Sequence, residues 1–141
     1  MMKYYLLLAA VWMVILGGIY GTVWIITHQP AIKIIREFNE REQAKLHLYE
    51  KVSYNYKQFI QLSNVVVCES RWMPLAFNAQ TFDYGLFQIN KMHLHEARSK
   101  GYDVIGNWRD NIDFAVDELH ARSGLRPWYP SQHCWAHLAV K

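Results

Sequence analysis

Hydrophobic positions fall into three regimes along this chain. From Tyr4 to Ile26 no residue is charged and every face of a helix would be apolar. A helix that is apolar all round is either deeply buried or spans a membrane. The run is close to the ~20 residues that cross a bilayer's hydrocarbon core. The pattern therefore predicts one N-terminal transmembrane helix, closed by His28, Gln29 and Pro30, with residues 1–30 as an anchor. A secretory signal peptide would have a shorter apolar core and a small-residue cleavage site. Gly17, Gly18 and Gly21 are small but are not paired at the positions before a cut.

From Ala31 to about Lys51 the sequence is charged and free of Gly and Pro, with Ile35, Phe38 and Glu42 following one face only partly. Residues 31–51 read as a helical linker or stalk; a packed helix fits equally. The third regime, 52–141, predicts the working domain. Val52, Tyr56, Phe59, Ser63 and Val66 lie near helical spacing, and Val65, Val66 and Val67 mark a buried end. Pro74 prevents that helix from running much further. Turn residues, alternation and Gly85 between Asn78 and Asn90 predict a short β-hairpin. Lys91 to Lys100 predicts a short helix stopped by Gly101. Asp110 is the expected N-cap of a last helix, with Asp113 in its first turn. Ile112, Val116 and Leu119 line one face of it and Gly124 ends it. The tail from Pro127 to Trp135 reads as aromatic and irregular. The class is α+β, mostly α.

Charge changes the picture little. The net charge is +3, without a long Lys/Arg block, so there is no case for nucleic acid, and the mild positive balance suits a polyanionic target. Its distribution raises a conflict over orientation. Lys3 alone precedes the apolar run, whereas Lys33, Arg36, Arg41 and Lys45 follow it, which puts the C-terminal part in the cytoplasm. Glu37, Glu40 and Glu42 count little in that rule.

Cys68 and Cys134 are too far apart in sequence to resemble a close-spaced zinc or redox pair. Either they are two buried thiols or they form a disulfide, which is the favoured reading. Such a bond would contribute about 2–4 kcal/mol, tie the tail to the end of the preceding helix, and require an oxidising compartment.

The chemistry concentrates between Cys68 and Asn90, in the segments CESRW, FNAQ and TFDYGLFQIN. These resemble the lysozyme superfamily, which includes animal-type lysozymes and small lytic transglycosylases of the SLT type. In that family a glutamate ends a buried helix and a motif of the form Asp-Tyr-Gly-Leu/Ile-x-Gln-Ile-Asn supplies the hairpin beside it. Here those positions are Glu69, then Asp83, Tyr84, Gly85, Leu86, Gln88, Ile89 and Asn90. NIDFAVDEL, through Asn111, Ile112 and Ala115, resembles the transglycosylase helix after the active site. PWYPSQHCW resembles the closing aromatic segment. The resemblance covers about Tyr54 to Trp135 and implies a lysozyme-like catalytic domain that cuts the glycan strands of bacterial peptidoglycan.

Glu69 is then the catalytic acid. An ordinary Glu is ionised at neutral pH, and burial at the end of an apolar helix near Trp72 would keep it protonated; lysozyme is the standard worked case of this effect. Asp83 is the second carboxylate. In a muramidase it acts as nucleophile or stabilises the oxocarbenium-like transition state. In a lytic transglycosylase Glu69 works as acid and then as base, the sugar's own C6 hydroxyl attacks, and Asp83 is a supporting group. The transglycosylase reading is preferred, because Glu69 and Asp83 are closer in sequence than in animal lysozymes and the Asn111 helix points the same way. Ser70 is expected to hydrogen-bond Glu69. Asn78 contacts sugar or caps a turn, Gln88 and Asn90 face the cleft or brace the hairpin, and Gly85 permits a close approach or a tight turn. Tyr84, Trp128 and Tyr129 either stack on sugar or fill the core.

His93 and His95 are two apart and lie in no His-Glu-x-x-His motif, so neither a metal nor a cofactor is expected. A non-catalytic glycan-binding module is the alternative from another class. The expected location is a single-pass membrane protein with its domain facing the wall, in the bacterial envelope or a virion membrane. A phage, secretion or conjugation assembly would each suit it.

Overall fold

The computed structural model describes residues 39–138, within a unit that begins at Asn39. The anchor predicted at residues 1–30 lies outside the described residues, among which no helix is long and apolar enough to cross a membrane.

Helix α1 occupies 39–51, and Ala44 and Leu48 on one of its faces are fully buried in the common core. The described part of the segment read as a stalk or a packed helix is therefore packed. The predicted helix from Val52 begins later than expected. Val52 closes α1 and enters the core, the backbone reverses through positive φ at Ser53 and Tyr54, and α2 spans Tyr56–Ser70. Asn55 caps it by accepting from the Gln58 amide, which satisfies an otherwise orphan donor of the first turn. The inward face of α2 is Leu62, Val65, Val66 and Ser70, while Tyr56 and Val67 are exposed.

The expected hairpin is a three-stranded antiparallel sheet. Strands β1 (Phe77–Asn78), β2 (Asp83–Tyr84) and β3 (Ile89–Asn90) pair in that order, with Asn78 opposite Asp83 and Asp83 opposite Asn90. A 3-10 turn (Lys91–His93) leads into α3 (Leu94–Ser99), and Gly101 follows at φ +88.

Helix α4 (Trp108–Phe114) is capped by Asn107, not Asp110; the Asn107 side chain accepts from the Arg109 amide, and Asp110 instead accepts from the backbone of Asp103. It continues as a π-helical stretch (Ala115–His120) and a last α-turn, α5 (Ala121–Ser123), before Gly124. Ile112, Val116 and Leu119 are buried as the periodicity predicted. The tail is ordered rather than irregular: a 3-10 segment (Arg126–Ser131) precedes the short helix α6 (Gln132–Trp135). A disulfide joins Cys68 on α2 to Cys134 on α6, with Cα atoms 6.0 Å apart.

Ion pairs clamp the outside of the core. Lys51 lies 2.6 Å from Asp117 and 3.3 Å from Asp113, and His47 2.9 Å from Asp113, which ties α1 to the α4 region. Burial pulls the Lys51 pKa down, but the two aspartates outweigh it and the net shift is upward. Arg122 and Lys100 hold Glu96 at a pKa of about 2, chiefly through the Arg122 hydrogen bond.

Candidate active site

Glu69 sits in the last turn of α2, where the helix emerges from the core. The next two residues, Arg71 and Trp72, both take left-handed backbone angles, φ 53 and φ 60. This reversal ends the helix, with the Arg71 amide bonded back to Val67, and returns the Trp72 ring to the core.

The carboxyl is half-buried and faces two cavities. The first, about 600 Å³, is lined by Glu69, Thr81, Asp83, Ile89, Trp128 and Ser131 among others. The second, about 540 Å³, is lined by Glu69, Ser70, Arg71, Phe77, Asn78 and Gln80 among others. Glu69 and Gln88 line both, so the carboxyl stands where the two cavities adjoin.

Burial pushes the Glu69 pKa above the ordinary carboxylate value. A hydrogen bond donated by the Ser131 hydroxyl pulls against this, and the nearby negative charge of Asp83 adds to it. The net direction is upward, as a proton donor at neutral pH requires. Ser70 does not hold Glu69. Adjacent helix positions point about 100° apart; the Ser70 side chain faces the core and donates to the Val66 carbonyl at 3.1 Å. The hydroxyl on Glu69 comes from Ser131, placed there by the 3-10 segment and by the disulfide that fixes α6 to α2.

Asp83 opens strand β2 and lines the first cavity. Its Oδ2 accepts from the Thr81 hydroxyl and its Oδ1 from Asn90 Nδ2 at 2.6 Å. Asn90 also donates to the Thr81 carbonyl at 2.9 Å and accepts from the Met92 amide at 3.1 Å, so it braces the sheet while lining the cavity. Gln88 does both as well, donating to the carbonyls of Gly85 (2.8 Å) and Ala76 (3.3 Å). Asn78 caps a turn by accepting from the Gln80 amide and lines the second cavity.

The aromatics divide. Trp128 is buried, donates from Nε1 to the Phe87 carbonyl at 2.9 Å, and lines the first cavity. Tyr84 stacks on Phe77 with ring centroids 5.0 Å apart and borders neither cavity. Tyr129 is exposed and also borders neither.

The wall of the cleft is pinned from behind by Asn111, which is fully buried. Its Oδ1 accepts from the Phe87 amide at 3.0 Å, and its Nδ2 donates to the carbonyls of Tyr84 and Val104, both at 2.9 Å. This explains Gly85. The turn there has φ +73, and a Cβ would lie 2.2 Å from Asn111 Nδ2. The close approach that Gly85 permits is to this amide. Sequence reasoning passed over Ser131, Thr81, His93 and His133 as cavity-lining groups.

No curated protein and no solved structure matches the chain. The family comparison does match. It runs over residues 50–124, from the end of α1 through the cleft walls to the glycine after α5, which is more than half of the chain. A half-buried glutamate at a helix end, facing a cleft walled by a small sheet, is thus found within the matched span, and the chain belongs to the transglycosylase SLT domain family of the lysozyme-like superfamily, whose activity is that of peptidoglycan lytic transglycosylases.

Proposed function

We propose that the protein cleaves the β-1,4 bond between N-acetylmuramic acid and N-acetylglucosamine as a lytic transglycosylase, with Glu69 serving first as acid and then as base. The observation that carries this reading is the placement of Glu69: half-buried, raised in pKa, and common to both cavities. A strand lying across the two cavities puts its glycosidic oxygen against the carboxyl. Glu69 gives its proton to that oxygen as the bond to muramic acid C1 breaks. The muramic acid N-acetyl group stabilises the cationic carbon. Glu69, now a carboxylate held by Ser131, takes the proton from the C6 hydroxyl, whose oxygen closes on C1. The product has a 1,6-anhydro end, no water is consumed, and Glu69 is protonated again.

Asp83 supports this scheme as a braced residue. Both of its oxygens already accept hydrogen bonds from the sheet that carries it. A muramidase remains the second reading, favoured by one fact: Asp83 lines the same cavity and its charge acts on Glu69. Product masses from purified peptidoglycan separate the two. Ends one water lighter than reducing muropeptides support the transglycosylase, and reducing ends would overturn it. Asp83→Asn sharpens the result, with a loss of roughly tenfold or less for a bracing role and about 10²-fold or more for a nucleophile. Digestion that persists in Glu69→Gln would refute the acid assignment, whereas wild-type protein that binds the polymer without cutting it would leave the binding-module reading.

The proposal extends to location. The uncharged run from Tyr4 to Ile26 supports a membrane anchor, and a wall substrate supports a wall-facing domain. Protease access to intact spheroplasts tests this. Protection of the domain would place it on the cytoplasmic side, as the lysines and arginines after the run require.

A further inference from the structure

We propose that Arg71 makes the second cavity a subsite for the anionic peptide stem of muramic acid, so that the enzyme prefers stem-bearing strands to bare glycan. The proposal rests on the reading of Glu69 above and adds a substrate preference to it.

The two cavities differ in charge. The first holds two carboxylates, Glu69 and Asp83, and no Lys or Arg. The second holds Arg71 as its cation, beside the polar side chains of Asn78 and Gln80. Some cations of the domain are paired elsewhere: Lys51 with Asp113 and Asp117, Lys100 and Arg122 with Glu96. Arg71 makes no ion pair among the described residues. Arg71 is not among the groups that shift the Glu69 pKa, which are burial, Ser131 and Asp83.

The backbone gives an independent reason to ask what this side chain does. Arg71 follows the last residue of α2 in the left-handed region, φ 53 and ψ 35. Glycine is the usual residue there, because it takes this conformation without the steric penalty of a Cβ. An arginine at such a point is held against local preference, a pattern associated with functional positions.

The chemistry of the substrate fits. Muramic acid carries its peptide on a lactyl ether at C3, beside the ring whose bond is cut. That peptide bears free carboxylates, and a guanidinium pairs with a carboxylate through two parallel hydrogen bonds. Arg71 and Glu69 line the same cavity, which puts the partner of Arg71 on a part of the strand near the scissile bond.

The test compares kcat/KM on intact peptidoglycan strands with kcat/KM on strands stripped of stems by an amidase. Wild type should favour the stem-bearing strands by roughly tenfold, the size of a charged hydrogen-bonded contact. Arg71→Gln and Arg71→Gly should bring that ratio near unity, mainly through KM, and Arg71→Lys should keep part of it. Arg71→Gly should melt no lower than wild type, which removes misfolding as a cause. A ratio unaltered by either variant, or an equal loss on both polymers, overturns the proposal. Binding of a soluble muramoyl peptide, measured in the Glu69→Gln background, separates the two readings. Binding that weakens about tenfold with Arg71→Gln supports the stem subsite even if no strand is cut, in which case only the Glu69 reading falls. Binding indifferent to Arg71 sinks the subsite even if cutting is intact.

Discussion

The two cavities that meet at Glu69 are built in opposite ways. In the first, the polar groups facing the cleft are fixed by the protein itself: Asp83 by Thr81 and Asn90, Trp128 by the Phe87 carbonyl, Glu69 by Ser131. In the second, Asn78 and Gln88 are tied to the backbone, but part of the lining is open. Met73 is 50% and Phe77 54% accessible, and Arg71 has no ionic partner among the described residues. The difference separates two tasks. Groups that stabilise a reacting bond act best when held in place beforehand, whereas a surface that grips a variable substituent needs reach more than rigidity. Each prediction below tests one side of that contrast.

The largest effect falls at the shared residue. Glu69→Gln removes the proton donor and should lower activity by about 10²–10⁴-fold. Stability should move the other way. Because burial raises the folded pKa of Glu69 above its unfolded value, the fold loses stability as pH rises through the raised pKa. The neutral amide escapes that loss. The variant should therefore melt higher at neutral pH, and the gap should close below the ordinary carboxylate pKa. Melting curves over a pH series check it, and parallel curves at every pH would show that Glu69 is not held in the buried setting described.

Next comes the tie behind the first cavity. Cys134→Ser should remove about 2–4 kcal/mol of stability, read from denaturant unfolding with and without reductant. It also frees the segment that carries Ser131 and Trp128. If the rigidity of that side matters, turnover should fall in folded protein under conditions where the second cavity still binds a muramoyl peptide. Equal loss of both would mean that the two sides are not separable.

Asn111→Ala attacks the same side through the sheet. It leaves the Phe87 amide and the Tyr84 and Val104 carbonyls without their partner, at a cost of about 2–3 kcal/mol. Chemical denaturation measures it. Gly85→Ala should do comparable damage from the other direction, since its methyl group would occupy the space of the Asn111 amide.

Much of this frame was legible in the chain. A buried helix ending at Glu69, the short helix before Gly101, the buried face of Ile112, Val116 and Leu119, and the Cys68–Cys134 bond all follow from periodicity, turn residues and cysteine count. What escaped had no local signal. The hairpin between Asn78 and Asn90 was legible, but strands of two residues are too short for alternation to give their number or bounds. The break before α2 uses positive φ at Ser53 and Tyr54 without a glycine to mark it. Asn107 and Asp110 are equally good caps on paper, and only packing selects one. Nothing in AVDELH announces a π-helical stretch. Ser131 meets Glu69 across 62 positions and lies beyond the span that matches the family.

Ser131 therefore supplies the finest test of the rigid side. Its hydroxyl donates to the Glu69 carboxylate, and that bond favours the ionised form. Ser131→Ala leaves burial and the Asp83 charge, which both act upward, so the Glu69 pKa should rise further. The alkaline limb of the kcat/KM profile, which marks deprotonation of the acid in free enzyme, should shift to higher pH. Turnover near neutrality should fall only several-fold, from poorer orientation of the carboxyl, in keeping with a single hydrogen bond of about 1 kcal/mol. A limb that stays in place or moves to lower pH would mean that Ser131 does not control the proton, and that the first cavity orders its acid through burial alone.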